Sequence, residues 1–300
     1  MDRRKLIGVV FGAHPQPYHE PFLDRLRARY GVEVRYAHGQ WGEHIQQLAH
    51  ELVGLRSHVL VTFDTPSTIA ATKATSVIPI VSQVCGVLPD QPIMGENVTG
   101  LARKELDAPQ QLRALVALLV ANERPLSPVG VLWNGDNAAM GVHLRDVETA
   151  AAAYAPPVLI RSLALRGPDY DVRHVLDTID DAQALVVVEE PVVVYYRKEI
   201  VAFARDHRLP ALFESLQFME VGGLASYGPD RLAAFSRMAD YVDHIVQDDL
   251  RPGNLPPTEE PESRLFINLQ AAEALGLRHI PDRLDGIRWE PSGVGALAHA

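Results

Sequence analysis

Apolar residues along this chain fall into two alternating patterns. Short, near-continuous runs such as Leu6–Phe11, Val59–Phe63 and Ala184–Val188 have the length of strands buried on both faces. Between them, apolar residues recur at i, i+3, i+4 and i+7, the spacing of a helix with one buried face. Strand Leu6–Phe11, helix Pro21–Tyr30, strand Val32–Tyr36, helix Glu43–Leu55, strand Val59–Phe63, a helix from Asp64 to about Thr75 and strand Ile78–Val81 build one doubly wound α/β lobe. Gly86–Thr99, rich in Pro, Gly and Asn, reads as loop. The second series opens with helix Pro109–Ala121, strand Val129–Trp133, helix Ala138–Tyr154 and strand Val158–Ala164. It continues with helix Tyr170–Asp177, strand Ala184–Val188, helix Val193–His207 and strands Ala211–Phe213 and Gly223–Ser226. A long helix over Pro229–Asp248 follows, with Phe235, Met238, Val242 and Ile245 on one face; Pro229 and Asp230 suit its N-terminus. A Pro-rich connector Arg251–Pro261, strand Arg264–Asn268, helix Leu269–Gly276 and a tail of small residues, Pro291–Ala300, complete the chain. The predicted fold class is α/β, with two doubly wound parallel-sheet lobes.

Length, charge and motifs narrow the function. Three hundred residues suffice for two domains. A net charge of -10, with no basic run beyond Arg3–Lys5, argues against nucleic acid as a partner. No apolar stretch is long enough to span a bilayer. Arg3, Arg4 and Lys5 before Leu6–Phe11 resemble the start of a signal peptide, but the apolar part is short and no cleavage site follows, so a first strand is expected. The chain is then either cytoplasmic or without its export signal here. The single cysteine, Cys85, reads as a small buried hydrophobe. His14, His19 and His38 have no metal-ligand spacing and read as surface histidines. No P-loop, G-x-G-x-x-G or G-x-S-x-G occurs, and nothing pairs a nucleophile with a base. No catalytic residue, cofactor or metal is therefore expected.

Five segments, in order, carry a resemblance. Asn97-Val98-Thr99-Gly100-Leu101, Val129–Asn134, Val201–Pro210, Gly222–Asp230 and Ile267–Leu277 are similar to segments of the substrate-binding proteins of ABC transporters, the family that includes tryptophan- and other amino-acid-binding lipoproteins. The resemblance runs from about Leu6 to Trp289. It implies a type I periplasmic-binding-protein fold whose lobes are joined by crossings at Asn97–Leu101, Ala225–Gly228 and Arg264–Asn268. Residues 1–101 with 228–262 would form the first lobe, and 102–227 with 263–300 the second. The implied protein holds a small molecule, an amino acid or related amine or carboxylate, in the interlobe cleft by hinge closure. It delivers that molecule to ABC permease and ATPase subunits, meets the membrane only through the transporter, and is periplasmic. The chain departs from the family at Gly135-Asp136-Asn137, at Glu189-Glu190-Pro191 and at Tyr195-Tyr196, so its ligand need not be the family's amino acid. A cytoplasmic ligand sensor or an enzyme on the same two-lobed fold remains the alternative, since fold does not fix function.

Ligands of open parallel sheets bind at the carboxyl ends of strands. Those ends place Gly12, Ala13, Asp64, Thr65, Ser67 and Gln83 in the first lobe as candidate contacts. In the second lobe they place Asn134, Asp136, Asn137, Glu189, Glu190, Glu214 and, at a crossing, Tyr227. Asp64 and Thr65 equally suit a helix cap, Glu189 and Glu190 a solvated turn, and Tyr227 a plug. The helix opened by Asp64 offers unpaired N–H groups to an anion, whereas Glu189, Glu190 and Glu214 suit a cation. A zwitterion, or an amine with an acceptor group, satisfies both. Tyr195, Tyr196 or Tyr227 could cover its apolar remainder, with Trp133 assigned to the core.

Overall fold

Successive side chains leave a strand on opposite faces, and the first strand shows what that does here. Strand β1 (Leu6–Phe11) sends Ile7, Val9 and Phe11 into one hydrophobic cluster and Val10 into another. A sheet with two apolar faces needs helices on both. The computed structural model describes residues 4–12, 15, 19–37, 43–84, 95–102, 107–137, 140–167, 170–179 and 181–292.

After β1 come α1 (Glu20–Arg27), β2 (Gly31–Tyr36), α2 (Glu43–Gly54), β3 (Val59–Thr62), α3 (Thr65–Ala74), β4 (Ile80–Ser82) and β5 (Val98–Ala102). Then follow α4 (Asp107–Ala121), β6 (Val129–Asn134), α5 (Met140–Ala152), β7 (Ile160–Leu165), α6 (Val172–Leu176) and β8 (Ala184–Val187). Next are α7 (Pro191–Tyr195), α8 (Arg197–Asp206), β9 (Ala211–Phe213), α9 (Gln217–Glu220), β10 (Ala225–Pro229) and α10 (Arg231–Gln247). The chain ends with β11 (Thr258–Glu259), β12 (Ser263–Ile267), α11 (Leu269–Ala274), β13 (Arg283–Leu284) and β14 (Ile287–Pro291).

These elements form two compact units, one of residues 1–104 and 230–261, the other of 105–229 and 262–300. The chain therefore passes between them three times. The first unit holds a parallel sheet in the order β11-β5-β4-β3-β1-β2. Helices α1 and α10 cover one face: Phe22, Leu23 and Leu26 pack with Phe235, Met238 and Val242 against Ile7, Val9 and Phe11. Ile45, Leu52, Ala70 and Ala71, from α2 and α3, cover the other around Val10, Leu60 and Ile80. The second unit holds a sheet in the order β13-β14-β12-β10-β9-β8-β6-β7. Its strands β7, β6, β8, β9 and β10 are parallel, and β12 joins β10 antiparallel. Among the described residues, no helix is long and apolar enough to cross a membrane.

Several elements differ from the periodicity-based expectation. Asn97–Leu101 is not a plain exit from the sheet: Val98–Ala102 is a fifth parallel strand beside β4. Gly100 makes that pairing possible, because it lies at φ 134° and a side chain there would collide with the Ser82 carbonyl. Strand β10 begins and ends later than Gly223–Ser226, and Pro229 is its last residue rather than the first of the next helix. Asp230 is the N-cap of α10, accepting the Ala233 amide at 3.0 Å. The single helix expected over Val193–His207 is two. Glu190 caps α7 with Pro191 behind it, and α7 buries three successive valines, a pattern without helical periodicity. The Pro-rich connector contains a 3-10 turn at Pro252–Asn254 and the short strand β11. The β13–β14 hairpin was not predicted; it turns at Asp285 and Gly286, both at positive φ. His19 is not a surface residue: it is 6% exposed and lies against Phe11, Phe63 and Phe235. Ala13, His14, His38, Cys85 and the end of the tail, 293–300, lie outside the described residues.

Candidate functional site

Each sheet reverses its winding once, and a crevice opens at the carboxyl ends of the strands on either side of that point. In the first unit the reversal falls between β1 and β3. Gly12 follows β1 and Asp64 lies just beyond β3; the Gly12 amide donates to Asp64 Oδ2 at 2.7 Å. The other carboxylate oxygen of Asp64 accepts the Ser67 amide at 2.8 Å and so caps α3. The Ser67 hydroxyl returns a bond to the Asp64 carbonyl at 3.0 Å. Thr65 and Ser67 are buried in this first turn. Burial pushes the Asp64 carboxyl above its usual range, while the Ser67 and Gly12 N–H groups pull it back. Capping and bridging two strand ends are thus both done by Asp64. Gln83 stands after β4 on the same sheet edge; its side-chain amide donates to Glu260 at 3.3 Å.

In the second unit the reversal falls between β6 and β8. The Asn137 side-chain amide, after β6, donates to Glu190 Oε1, after β8, at 3.2 Å. Glu190 Oε2 accepts the Val192 amide at 3.2 Å, so Glu190 also caps its helix. Asn134 Oδ1 accepts the Asp136 amide at 3.0 Å, closing the turn out of β6. The Glu189 amide donates to Glu214 Oε2 at 3.2 Å, which ties the ends of β8 and β9 together. Glu190 and Glu214 are each only 3% exposed. Gly228, on β10, lets that strand lie close to Glu214, since a side chain there would run into the Glu214 carbonyl. Tyr227, the residue before it, is half-buried, and its carbonyl accepts the Gln111 side-chain amide at 3.1 Å.

The structure therefore brings Gly12, Asp64, Thr65 and Ser67 together on one sheet. It brings Asn134, Asp136, Asn137, Glu189, Glu190 and Glu214 together on the other. Trp133 is core, donating its indole N–H to Ser162 at 2.9 Å. Tyr195 is 68% exposed and meets Tyr196 edge to face. Sequence reasoning passed over Tyr170, in the loop after β7. It is 5% exposed and lies near Asn134, Asp136 and Glu190. Burial, then the charges of Asp136 and Glu190, raises its phenol well above the usual value. The strand-end rule that found Asn134 and Glu190 would have pointed to it, since it follows the carboxyl end of β7. Among the described residues, no group of three His, Cys, Asp or Glu residues is placed to hold a metal ion.

Two α/β units joined by three chain passages define a two-lobed class of fold. The ABC transporter substrate binding protein family model matches residues 29–285, and the chain belongs to that family. Among curated proteins, none matches by sequence. The structure is similar to that of a conserved domain protein from Vibrio cholerae, with 25% identity, a TM-score of 0.78 and coverage of 96% of this chain and 99% of the other. It is also similar to an ABC domain from Streptococcus pneumoniae in complex with L-Trp, at 18% identity and TM-score 0.77, covering 92% and 96% of the two chains. A ligand-free, open substrate binding protein with adhesive properties from Clostridium difficile matches at 15% identity and TM-score 0.59, over 96% and 100%. The family supports a solute-binding role, and its members are typically extracytoplasmic.

Proposed function

We propose that this protein is the solute-binding component of an ABC importer and that it holds a small zwitterion or amine, an amino acid or a relative of one. The observation that carries the reading is the meeting of Asn137 and Glu190 across the β6–β8 switch point, with Glu214 and Asp136 on neighbouring strand ends. Carboxylates gathered at the carboxyl edge of a sheet are acceptors for a ligand ammonium group, and their burial makes that charge pairing count. On the other unit, the Thr65 amide opens α3 beside the pairing of Gly12 with Asp64 and is the backbone donor there that suits a carboxylate. One molecule carrying both charges would engage each unit through its own switch point. Closure of the units around it would couple binding to recognition by a permease. The likeness to a neighbour crystallised with L-Trp supports an amino-acid ligand. The departures from the family's pattern at Glu189-Glu190-Pro191 and Tyr195-Tyr196 mean that the solute need not be the family's amino acid.

The test is a thermal-shift screen of amino acids, polyamines and small carboxylates, with the hit recovered and analysed afterwards. A binding ligand raises Tm by mass action. The expected result is a shift with an amino acid or amine recovered unchanged. A hit that is converted to product overturns the binding-protein reading, and shifts confined to plain dicarboxylates overturn the assignment of charge.

A further inference from the structure

Gly135, Asp136 and Asn137 leave β6 as a turn, and the segment after β7 holds that turn by its backbone and by one side chain. The Gly135 amide donates to the Leu165 carbonyl at 2.8 Å, which carries the pairing of β6 with β7 one residue beyond β6. Arg166 Nη1 donates to the Gly135 carbonyl at 2.6 Å. Both backbone polar groups of Gly135 are thus taken by consecutive residues, Leu165 and Arg166. Asp136 is met in the same way. Its Oδ2 accepts the Gly167 amide at 2.9 Å, and its Oδ1 lies 3.9 Å from Arg166 Nη1. One guanidinium therefore faces a carbonyl and a carboxylate on neighbouring residues of the turn.

The place of that guanidinium is set from two sides. It stands over the Trp133 ring, 5.7 Å from its centre, where a cation is attracted to the ring face. Trp133 is core and bonded to Ser162, so this floor is anchored. On the other side lies Gly135: a methyl group there would come within 2.8 Å of the central carbon of the guanidinium. An exposed ion pair by itself contributes little, because holding a long side chain in one geometry costs rotamer freedom. Arg166 has a ring, a carbonyl and a carboxylate to set against that cost, and its planar fork suits all three. The turn it holds leads into the site. The Asp136 amide closes it on Asn134, and the next residue, Asn137, donates to Glu190.

We propose that Arg166 is a positioning residue of the solute site. It clamps the β6 turn to β7 and pairs the charge of Asp136, and so sets where Asn137 meets Glu190. It acts through Gly135 and Asp136 rather than by touching the solute. Its bearing on a ligand rests on the solute-binding reading; the clamp is tested without one.

Hydrogen exchange of the ligand-free full chain, read by mass spectrometry, compares wild type with Arg166→Met and Arg166→Lys. Methionine keeps an apolar stem and removes the guanidinium; lysine keeps a charge and removes the planar fork. The amides of Gly135, Asp136 and Asn137 are expected to exchange about tenfold faster in Arg166→Met, while β8, β9 and Tm stay as in the wild type. Arg166→Lys is expected to fall between the two. In an Asp136→Asn background Arg166→Met is expected to add much less, because the charge has already lost its partner. Unchanged exchange at the turn overturns the proposal. So does acceleration across the whole unit with a fallen Tm, which makes Arg166 an ordinary scaffold residue. Equal effects of lysine and methionine, or an undiminished effect in the Asp136→Asn background, overturn the charge pairing. A protein that binds nothing in the ligand screen contradicts the proposed function and leaves this exchange result standing.

Discussion

Two carboxylates, the buried Glu190 and the half-buried Asp64, show how one residue can serve the fold and the site together. Glu190 caps α7 through one oxygen and meets Asn137 through the other. Glu190→Gln keeps the shape and one acceptor, so the helix survives while the negative charge is lost. Binding of a cationic or zwitterionic hit is expected to weaken by about 1–3 kcal/mol, measured by titration calorimetry. Equal affinity in the variant would place the cationic contact elsewhere. Asp64 answers a different measurement. Its folded carboxyl is raised by burial, so the protonated form is the one the fold favours. The stability it contributes is full below the ordinary aspartate range and falls as pH rises through the raised value. Asp64→Asn removes that titration, keeps the cap on Ser67 and sets an amide against the Gly12 N–H. Denaturation of both proteins across pH 4–8 is expected to show the wild type's advantage shrinking as pH rises; a growing advantage would contradict the assigned cause. Asp64 and Glu190 were legible in the sequence because both stand just after strands and just before helices. His19 was not, since its burial depends on Phe235, more than two hundred positions away. Tyr170 carried no local pattern beyond its place after β7.

Elements were legible where hydrophobic period and length agreed, and blurred where packing overrode them. β1, β3, β6 and β8 announced themselves as apolar runs because the sheet buries both of their faces. β5 did not, because a five-residue strand containing glycine looks like the loop before it. The β13–β14 hairpin had a signal in Asp285-Gly286, a turn pair that favours positive φ, but the flanking strands are too short to alternate. Two substitutions test the devices that set element ends. Asp230→Ala removes the α10 cap and is expected to destabilise the protein by about 1 kcal/mol in urea denaturation, with ligand affinity unchanged. Gly228→Ala forces a methyl group against the Glu214 carbonyl and is expected to cost about 1–3 kcal/mol. That loss should come with weaker ligand binding, because Glu214 must shift; a stable variant with full affinity would show that β10 does not fix Glu214.

At the scale of the molecule, the chain builds two units whose sequences interleave. Residues 230–261 return to the first unit after the second is largely formed, and 262–300 complete the second. Local pattern alone assigns α10 and the strands after it to neither unit, because a division of this kind is invisible to any reading that takes neighbours in sequence as neighbours in space. The proposed function requires the three passages of chain between the units to act as a hinge, about which compact bodies rotate without disturbing their cores. The central claim is that one solute is gripped by both units. Small-angle scattering of the protein with and without a saturating hit from the screen tests it most directly. The account predicts a smaller radius of gyration in the presence of the ligand. A scattering profile unchanged at saturation would contradict it.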